Sequence, residues 1–166
     1  MFTYFKKSNS LKKELQSLNI YVFKIEDYSL RARISHLLDW YVRKATFYKN
    51  LFYSMSVILI IINALIPVIS QSALVNKDII ISFGSSIATI ISSALTLFTM
   101  KDTWFRYRNY AELIKEECMK YNSCYGDYNN DKAQLLLSQN IELIINSERT
   151  LWKDNKFNEK DDKDKR

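Results

Sequence analysis

Two apolar stretches organise this chain: LFYSMSVILIIINALIPVIS at residues 51–70 and IIISFGSSIATIISSALTLFTM at residues 79–100. Neither stretch holds an aspartate, glutamate, lysine, arginine or histidine. A helix of about 20 mostly apolar residues crosses a bilayer core about 30 Å thick, and each stretch reaches that length. Two buried helices of a soluble protein are the alternative, but such helices seldom run so far without a charge. The sequence therefore predicts two membrane spans.

The connector between the two stretches is short, QSALVNKD at residues 71–78. It predicts an antiparallel hairpin that places both chain termini on one side of the membrane. The connector carries one lysine and one aspartate, whereas the outer flanks are basic. Positive residues near the ends of spans favour the cytoplasm, so both termini are predicted to be cytoplasmic. The flanking basic residues are Arg43, Lys44, Lys49, Lys101, Arg106 and Arg108.

Heptad spacing of apolar residues extends both spans beyond the membrane. It predicts cytoplasmic helices over residues 29–50 and 101–125, and a third helix over 131–153 after a turn near Gly126. The predicted fold is an all-α membrane protein: a transmembrane hairpin whose spans extend into a cytoplasmic bundle with an antiparallel third helix. The heptad positions are Ile34, Leu38, Tyr41, Ala45, Tyr48 and Phe52; Trp104, Tyr107, Ala111, Ile114, Cys118, Tyr121 and Tyr125; and Leu137, Ile141, Ile144, Glu148 and Leu151.

The ends of the chain differ from this two-transmembrane domain of residues 29–153. Residues 1–28 form an N-terminal segment with a short helical pattern, SLKKELQSL, and then a β-branched and aromatic stretch that fits extended chain. Its lysines either contact anionic lipid or lie on a solvated face. Residues 154–166 are polar and are predicted to be a disordered tail. Pro67 is predicted to kink or end the first long helix.

Charged residues beside the second span predict a structural contact. If the third helix folds back on residues 101–125, Arg108 faces Glu148 and Trp104 faces Trp152. An arginine can hold a carboxylate through two bonds, and Glu112 lies one turn from Arg108. The prediction is an ionic clasp of Arg108, Glu112 and Glu148 below two interfacial tryptophans. A ligand or ion site is the alternative.

The second span carries small and hydroxyl residues on adjacent stripes. Small residues allow membrane helices to approach closely, and hydroxyls can hydrogen-bond between them. The stripes predict either helix packing alone or packing together with a water-lined path, which two spans form only in a homo-oligomer. Asn63 in the first span is a candidate gate or an interhelical hydrogen bond. The stripe residues are Gly84, Ala88 and Ser92, and Ser85, Thr89, Ser93 and Thr96.

Enzymatic and nucleic-acid-binding functions find little support in the sequence. No nucleophile, metal-ligand set or glycine-rich phosphate loop accompanies the carboxylates, so we expect no catalysis and no cofactor. Cys118 and Cys124 have no neighbouring histidine, and the single His36 fits a surface or packing role. Residues 101–166 hold 13 basic and 13 acidic residues, so the basic excess lies beside the membrane rather than on a nucleic-acid surface.

The order of motifs over residues 28–153 resembles the bacterial SLATT proteins, the two-transmembrane effectors associated with SMODS nucleotidyltransferases and SLOG sensors, and a related uncharacterised two-span family. The motifs are WYVRKATFYKN, ALIPVIS, W-x-R-Y-R-x-x-A-E-x-I-K-x-E and I-E-x-I-I-x-x-E-x-x-x-W. The matching positions are Trp40, Pro67, Trp104, Arg108, Glu112, Lys115, Glu116, Tyr121, Glu142, Glu148 and Trp152.

This resemblance implies a function and a location. It implies a multi-pass protein of the bacterial inner membrane that acts as an effector in antiphage defence. A separate sensor or nucleotide-producing protein would trigger it, and it would then perturb the membrane. A constitutive small ion channel and a non-conducting membrane anchor or scaffold are the two alternatives.

Overall fold

The computed structural model describes residues 2–73 and 75–164, with side chains described for residues 10–73 and 75–150. Over those residues the protein is helical and contains no strand, which confirms the predicted all-α class. A 3-10 turn, Gly126–Tyr128, precedes the last helix. The helices are α1 (Phe2–Ser17), α2 (Asn19–Val22), α3 (Tyr28–Ser70), α4 (Lys77–Leu97), α5 (Met100–Asn122) and α6 (Ala133–Asp164).

The chain divides into two compact units. One comprises Met1–Arg43 and Tyr107–Arg166, and we call it the bundle unit. The other comprises Lys44–Arg106, and we call it the hairpin unit. The long helix α3 contributes its first part to the bundle unit and its second part to the hairpin unit.

The bundle unit is built around an apolar core to which every one of its helices contributes. Its α5 and α6 run antiparallel, as predicted, and the amide of Asn140 on α6 lies 2.7 Å from the carboxylate of Glu117 on α5. The heptad positions at the centre of each helix are buried. Core residues with at most 4 % exposure include Leu18, Val22, Ile25, Ile34, Leu38, Val42, Ala111, Ile114, Cys118, Leu137 and Ile141.

The N-terminal segment folds differently from its sequence pattern. Its β-branched and aromatic part contains the helix α2, and Leu18, Val22 and Ile25 are buried in the bundle core. Leu11, Leu15, Leu18 and Val22 recur three or four residues apart, which is helical spacing. Burial of that face outweighs the strand preference of the intervening residues.

The end of α5 comes earlier than predicted, at Asn122 instead of residue 125. Cys124 adopts a left-handed conformation with φ of 49°. The N–H of Tyr125 donates to the carbonyl of Lys120 at 3.0 Å, and that of Cys124 to Tyr121 at 3.1 Å. This is the hydrogen-bond pattern of a Schellman motif, which usually places glycine where Cys124 stands.

The last helix, α6, continues to Asp164 and so includes most of the tail that was predicted to be disordered. Residues 132–166 contain no glycine or proline, so the sequence holds no residue that stops a helix strongly. The backbone therefore continues the helix past the last apolar heptad position.

The hairpin unit consists of two antiparallel apolar helices joined by a short connector. Helix α3 continues through Pro67 to Ser70, and α4 begins at Lys77 after Asn76, whose φ is 65°. The predicted continuous helix after the second span is interrupted at Phe98–Thr99, between α4 and α5. Thr99 has a φ of 39°, a strained value for a β-branched residue. Its carbonyl accepts the N–H of Thr103 at 3.0 Å and so starts α5.

Both helical segments of this unit are long and apolar enough to cross a membrane. None of the most apolar window of Tyr28–Ser70 is buried, and 6 % of the window in Lys77–Asn122 is buried. A core helix of a soluble protein would be mostly buried. The exposed apolar surface thus argues for an apolar environment outside this single chain.

Candidate functional site

An open groove of about 390 Å³ lies between α3 and α4 in the hairpin unit. Although both helices are apolar, polar side chains dominate one of its walls. The α3 wall consists of Leu59, Asn63 and Ile66, and the α4 wall consists of Ser85, Ala88, Thr89, Ser92 and Ser93.

The groove brings together six of the eight residues that the sequence marked for packing or pore lining: Asn63, Ser85, Ala88, Thr89, Ser92 and Ser93. Gly84 and Thr96 are not among its lining residues. A Cβ atom added at Gly84 would lie 3.8 Å from Cγ2 of Ile62, an ordinary van der Waals distance. Contact between the two helices therefore does not require glycine there.

The hydroxyl groups of α4 fall into two sets. Four of them donate to carbonyls one turn earlier in their own helix, including Thr89 to Ser85 at 2.9 Å and Thr96 to Ser92 at 3.0 Å. The second set has no side-chain hydrogen bond to any described residue, and it consists of Ser85, Ser92 and Ser93, together with Asn63 of α3. These four side chains are therefore available to hydrogen-bond water or another protein surface.

Pro67 adds a further polar atom to the α3 wall. In a regular helix the N–H of residue 67 would donate to the carbonyl of residue 63, but proline has no N–H. The Asn63 position therefore offers a carbonyl without its usual donor as well as an amide side chain. Both lie on the stretch of α3 that faces the groove.

Trp104 lies at the edge of the apolar region of the hairpin unit. Its ring packs against Tyr53 with a centroid distance of 5.9 Å and stacks on Phe105 at 4.5 Å. The ammonium of Lys49 lies 5.5 Å from the same ring, a cation–π distance. The side chain of Trp152, its predicted partner, lies outside the described side chains.

The predicted ionic clasp is present in part, with different partners. In the bundle unit Arg108 Nη2 lies 2.8 Å from Glu112 Oε1, as predicted. Its Nη1 lies 2.5 Å from Oε1 of Glu14 on α1, and no ion pair joins Arg108 to Glu148 among the described residues. Glu148 instead accepts a hydrogen bond from the hydroxyl of Tyr41. The predicted pairing of Arg108 with Glu148 is therefore wrong. Glu14 of α1 pairs with Arg108, and Tyr41 of α3 bonds to Glu148.

Lys115 completes this cluster one turn further along α5. Its ammonium lies 3.0 Å from Glu112 and 3.5 Å from Glu14, and it lies 5.8 Å from the centroid of the Tyr21 ring. Only 8 % of the Lys115 side chain is exposed. The carboxylates of Glu14 and Glu112 balance the charges of Arg108 and Lys115. Such pairing allows the nearly buried ammonium of Lys115 to stay charged.

A second polar cluster, which the sequence did not reveal, ties α5 to the turn and to α6. Glu117 accepts hydrogen bonds from the hydroxyl of Tyr128 and the amide of Asn140, and Lys120 lies 3.3 Å away. Burial raises the pKa of Glu117, but these donors outweigh burial and hold it below its ordinary value. Burial and the adjacent carboxylate raise the pKa of Tyr128.

The cysteine and histidine side chains of the chain lie in different surroundings. Burial, with a smaller contribution from Glu117, raises the pKa of the Cys118 thiol to about 12, so it stays protonated at neutral pH. Cys124 and His36 are exposed. Among the described residues no three His, Cys, Asp or Glu side chains cluster as metal ligands do.

These features define a class of protein: a chain whose described residues are helical, with two helices of membrane length that line an open hydroxyl-bearing groove and further helices that share an apolar core. The chain belongs to the family described as "Protein of unknown function (DUF4231)", whose family model matches residues 36–135. The match includes the groove and the Arg108, Glu112 and Lys115 positions but not α1 and α2. No curated protein and no solved structure matches the chain.

Proposed function

We propose that this protein is an integral membrane effector that spans the membrane with α3 and α4, and that several copies form or gate a pore. The observation that carries the proposal is the set of Asn63, Ser85, Ser92 and Ser93, which are polar, exposed and without a partner in one copy. In lipid, water or another chain would stabilise such a set by supplying the missing hydrogen-bond partners. A ring of copies provides both, because each groove then lines a shared aqueous path.

Several copies are necessary because two helices cannot enclose a channel. Hydroxyl and amide groups offer no fixed charge, so the path would select weakly among ions. The basic flanks and the neutral connector favour a cytoplasmic location for both termini by the positive-inside rule. The bundle unit would then be the cytoplasmic part that receives a signal.

The biological role rests on the resemblance to the SLATT effectors. By that resemblance the protein acts in the bacterial inner membrane in antiphage defence, and a separate sensor or nucleotide signal triggers it. Membership of the DUF4231 family supports a shared domain over residues 36–135. The role of that domain in defence is our proposal.

Dye release from liposomes tests the pore. The purified protein is compared with a Ser85→Leu/Ser92→Leu variant, in which both changes fill the groove. The matched control is Ser82→Leu/Ser86→Leu, since these two hydroxyls bond to their own helix and do not line the groove. We expect liposomes with the groove variant to release no more dye than liposomes without protein. Liposomes with the control variant should release as much dye as those with the wild type. Equal leakage from both variants, or a monomer in lipid by mass measurement, would exclude the proposed pore.

A non-conducting anchor is a second candidate, and one observation favours it. Thr89 and Thr96 satisfy their hydroxyls within α4, so part of the polar stripe needs no water. A constitutive channel is a third candidate. Expression in cells separates these functions, because an effector harms growth when triggered, whereas an anchor or a constitutive channel leaves growth unchanged.

A further inference from the structure

The N-terminal segment lies outside the region shared with the family and packs on α5 in two unlike halves. Its second half, from Leu18 to Ile25, is firmly held. Leu18, Val22 and Ile25 are 4 %, 3 % and 1 % exposed. Asn122 donates to the carbonyls of Ile20 and Tyr21 at 3.2 and 3.1 Å, and Lys24 donates to the carbonyl of Asn122 at 2.7 Å. This half is an anchor.

The first half, α1, is held much more weakly in its described side chains, residues 10–17. Leu11 and Leu15 are only partly buried, and Lys12 and Lys13 are exposed. Its ion pairs to α5 come from one residue, Glu14. The two helices meet at the buried Leu18, whose backbone keeps helical angles with φ of −60° and ψ of −26°. A weakly held helix joined to an anchored one can move away from α5 and act as a cover.

The carboxylate of Glu14 lies against two cations of α5. One oxygen, Oε1, lies 2.5 Å from Arg108 Nη1 and 3.5 Å from Lys115 Nζ. Arg108 and Lys115 are two turns apart on the same face of α5, and only 8 % of the Lys115 side chain is exposed. The contact shows that this pair accepts an anionic oxygen, and in this structure the chain itself supplies it.

We propose that Arg108 and Lys115 form an anion-binding site, and that α1 is a cover whose Glu14 competes with an external anion for it. A guanidinium fork with an adjacent ammonium suits phosphate oxygens. Glu112 stays beside both cations after α1 leaves, so the site keeps a net charge of +1. The Coulomb attraction of that charge grows with the charge of the ligand, which favours a multiply charged phosphate-bearing ligand over a simple monoanion. The inference rests on the bundle unit and does not require the membrane helices to conduct.

Hydrogen–deuterium exchange of the full-length protein in detergent tests the cover. Inorganic pyrophosphate is added at constant ionic strength, and peptides from residues 2–17 are compared with peptides from residues 28–43. We expect pyrophosphate to speed exchange in residues 2–17 alone. In Glu14→Gln the exchange of residues 2–17 should rise about fivefold without ligand, and the half-maximal pyrophosphate concentration should fall by about the same factor.

Two variants give matched controls. Glu26→Gln removes the same charge from the same segment, but Glu26 is exposed and forms no ion pair with described residues, so it should behave like the wild type. Arg108→Gln should lose the pyrophosphate response while residues 28–43 stay protected, which shows that the bundle remains folded. Nanodiscs of phosphatidylglycerol without pyrophosphate provide a further arm, in which release of α1 would assign the ligand to lipid headgroups.

Three results would overturn the proposal. If residues 2–17 exchange as slowly as residues 28–43 in both the wild type and Glu14→Gln, then α1 is a permanent helix of the bundle. A pyrophosphate response that survives in Arg108→Gln would place the anion elsewhere. No response to pyrophosphate or to anionic lipid, in wild type and in Glu14→Gln alike, would show that the pair takes only its own carboxylate.

Discussion

The two units of this chain differ in how much of their apolar surface is buried within one copy. The bundle unit buries its heptad positions inside one copy, with Ile34, Leu38 and Ile114 at 0 % exposure. In the described part of the hairpin unit the buried apolar residues are Ala45, Ala88 and Met100, while Ile90 and Phe83 are 68 % and 71 % exposed. The bundle has its own core, whereas the hairpin leaves most of its apolar side chains exposed in a single copy.

Polar side chains follow the same division. In the bundle unit Glu14, Glu112, Glu117 and Glu148 each have a partner. In the groove of the hairpin unit Asn63, Ser85, Ser92 and Ser93 have no partner among the described residues, whereas Thr89 bonds to its own helix. Paired polar groups stabilise the fold of the bundle unit, whereas the unpaired polar groups of the groove are free to interact with water or another chain.

The largest expected difference between the units comes from their apolar residues. Leu38→Ala removes a fully buried side chain of the bundle and should lower the free energy of unfolding by about 2–5 kcal/mol. Ile90→Ala removes an exposed side chain of the hairpin and should change it by less than about 0.5 kcal/mol. Chemical denaturation in mild detergent, followed by circular dichroism, measures both. Equal losses would mean that the hairpin has an internal core of its own.

A smaller effect is expected from the buried phenol of the bundle. Tyr128→Phe leaves Glu117 and Asn140 without the hydroxyl that each contacts, and should cost about 1–2 kcal/mol. Tyr125→Phe is the control, since Tyr125 is 71 % exposed. The same denaturation experiment applies. If both variants have the same free energy of unfolding as the wild type, the Glu117 cluster contributes nothing to stability.

The same cluster predicts a pH dependence. The pKa of Glu117 in the folded protein lies below its ordinary value of 4.5. Its stabilising contribution is therefore fully present above pH 4.5 and is lost as the pH falls through the lower, folded value. Glu117→Gln should flatten the decline in stability below pH 4.5. An unchanged acid limb in a denaturation series from pH 6 to pH 3 would contradict the pairing.

The smallest effect is expected at the surface of the bundle. Arg33 and Glu142 form an ion pair whose side chains are 57 % and 37 % exposed. Solvent screens such a pair, so Glu142→Gln should change the free energy of unfolding by less than about 0.5 kcal/mol. The change should vanish in 0.5 M salt. A loss above about 1 kcal/mol would show that α6 depends on this pair.

The sequence predicted those features that depend on periodicity. Charge-free stretches and heptads indicated the helices. The two stripes of α4 indicated five residues of the groove, and the polar Asn63 of α3 was the sixth. The features it missed depend on contacts between distant segments. Glu14 occupies an unremarkable position in SLKKELQSL, and nothing in the spacing of Arg108 and Glu148 reveals that α1 and Tyr41 lie nearer. The positive φ angles of Thr99 and Cys124 were not predicted, because neither residue type usually adopts a positive φ.

The Schellman end of α5 has a practical consequence for following this molecule in solution. It places Cys124 in the open, while Cys118, six residues earlier, is enclosed by the bundle core. A thiol-reactive dye should therefore label the native protein once, at the turn after α5, without any engineered cysteine. Labelling of the second thiol becomes possible only when the core opens, so the ratio of singly to doubly labelled chains reports how often the bundle unfolds.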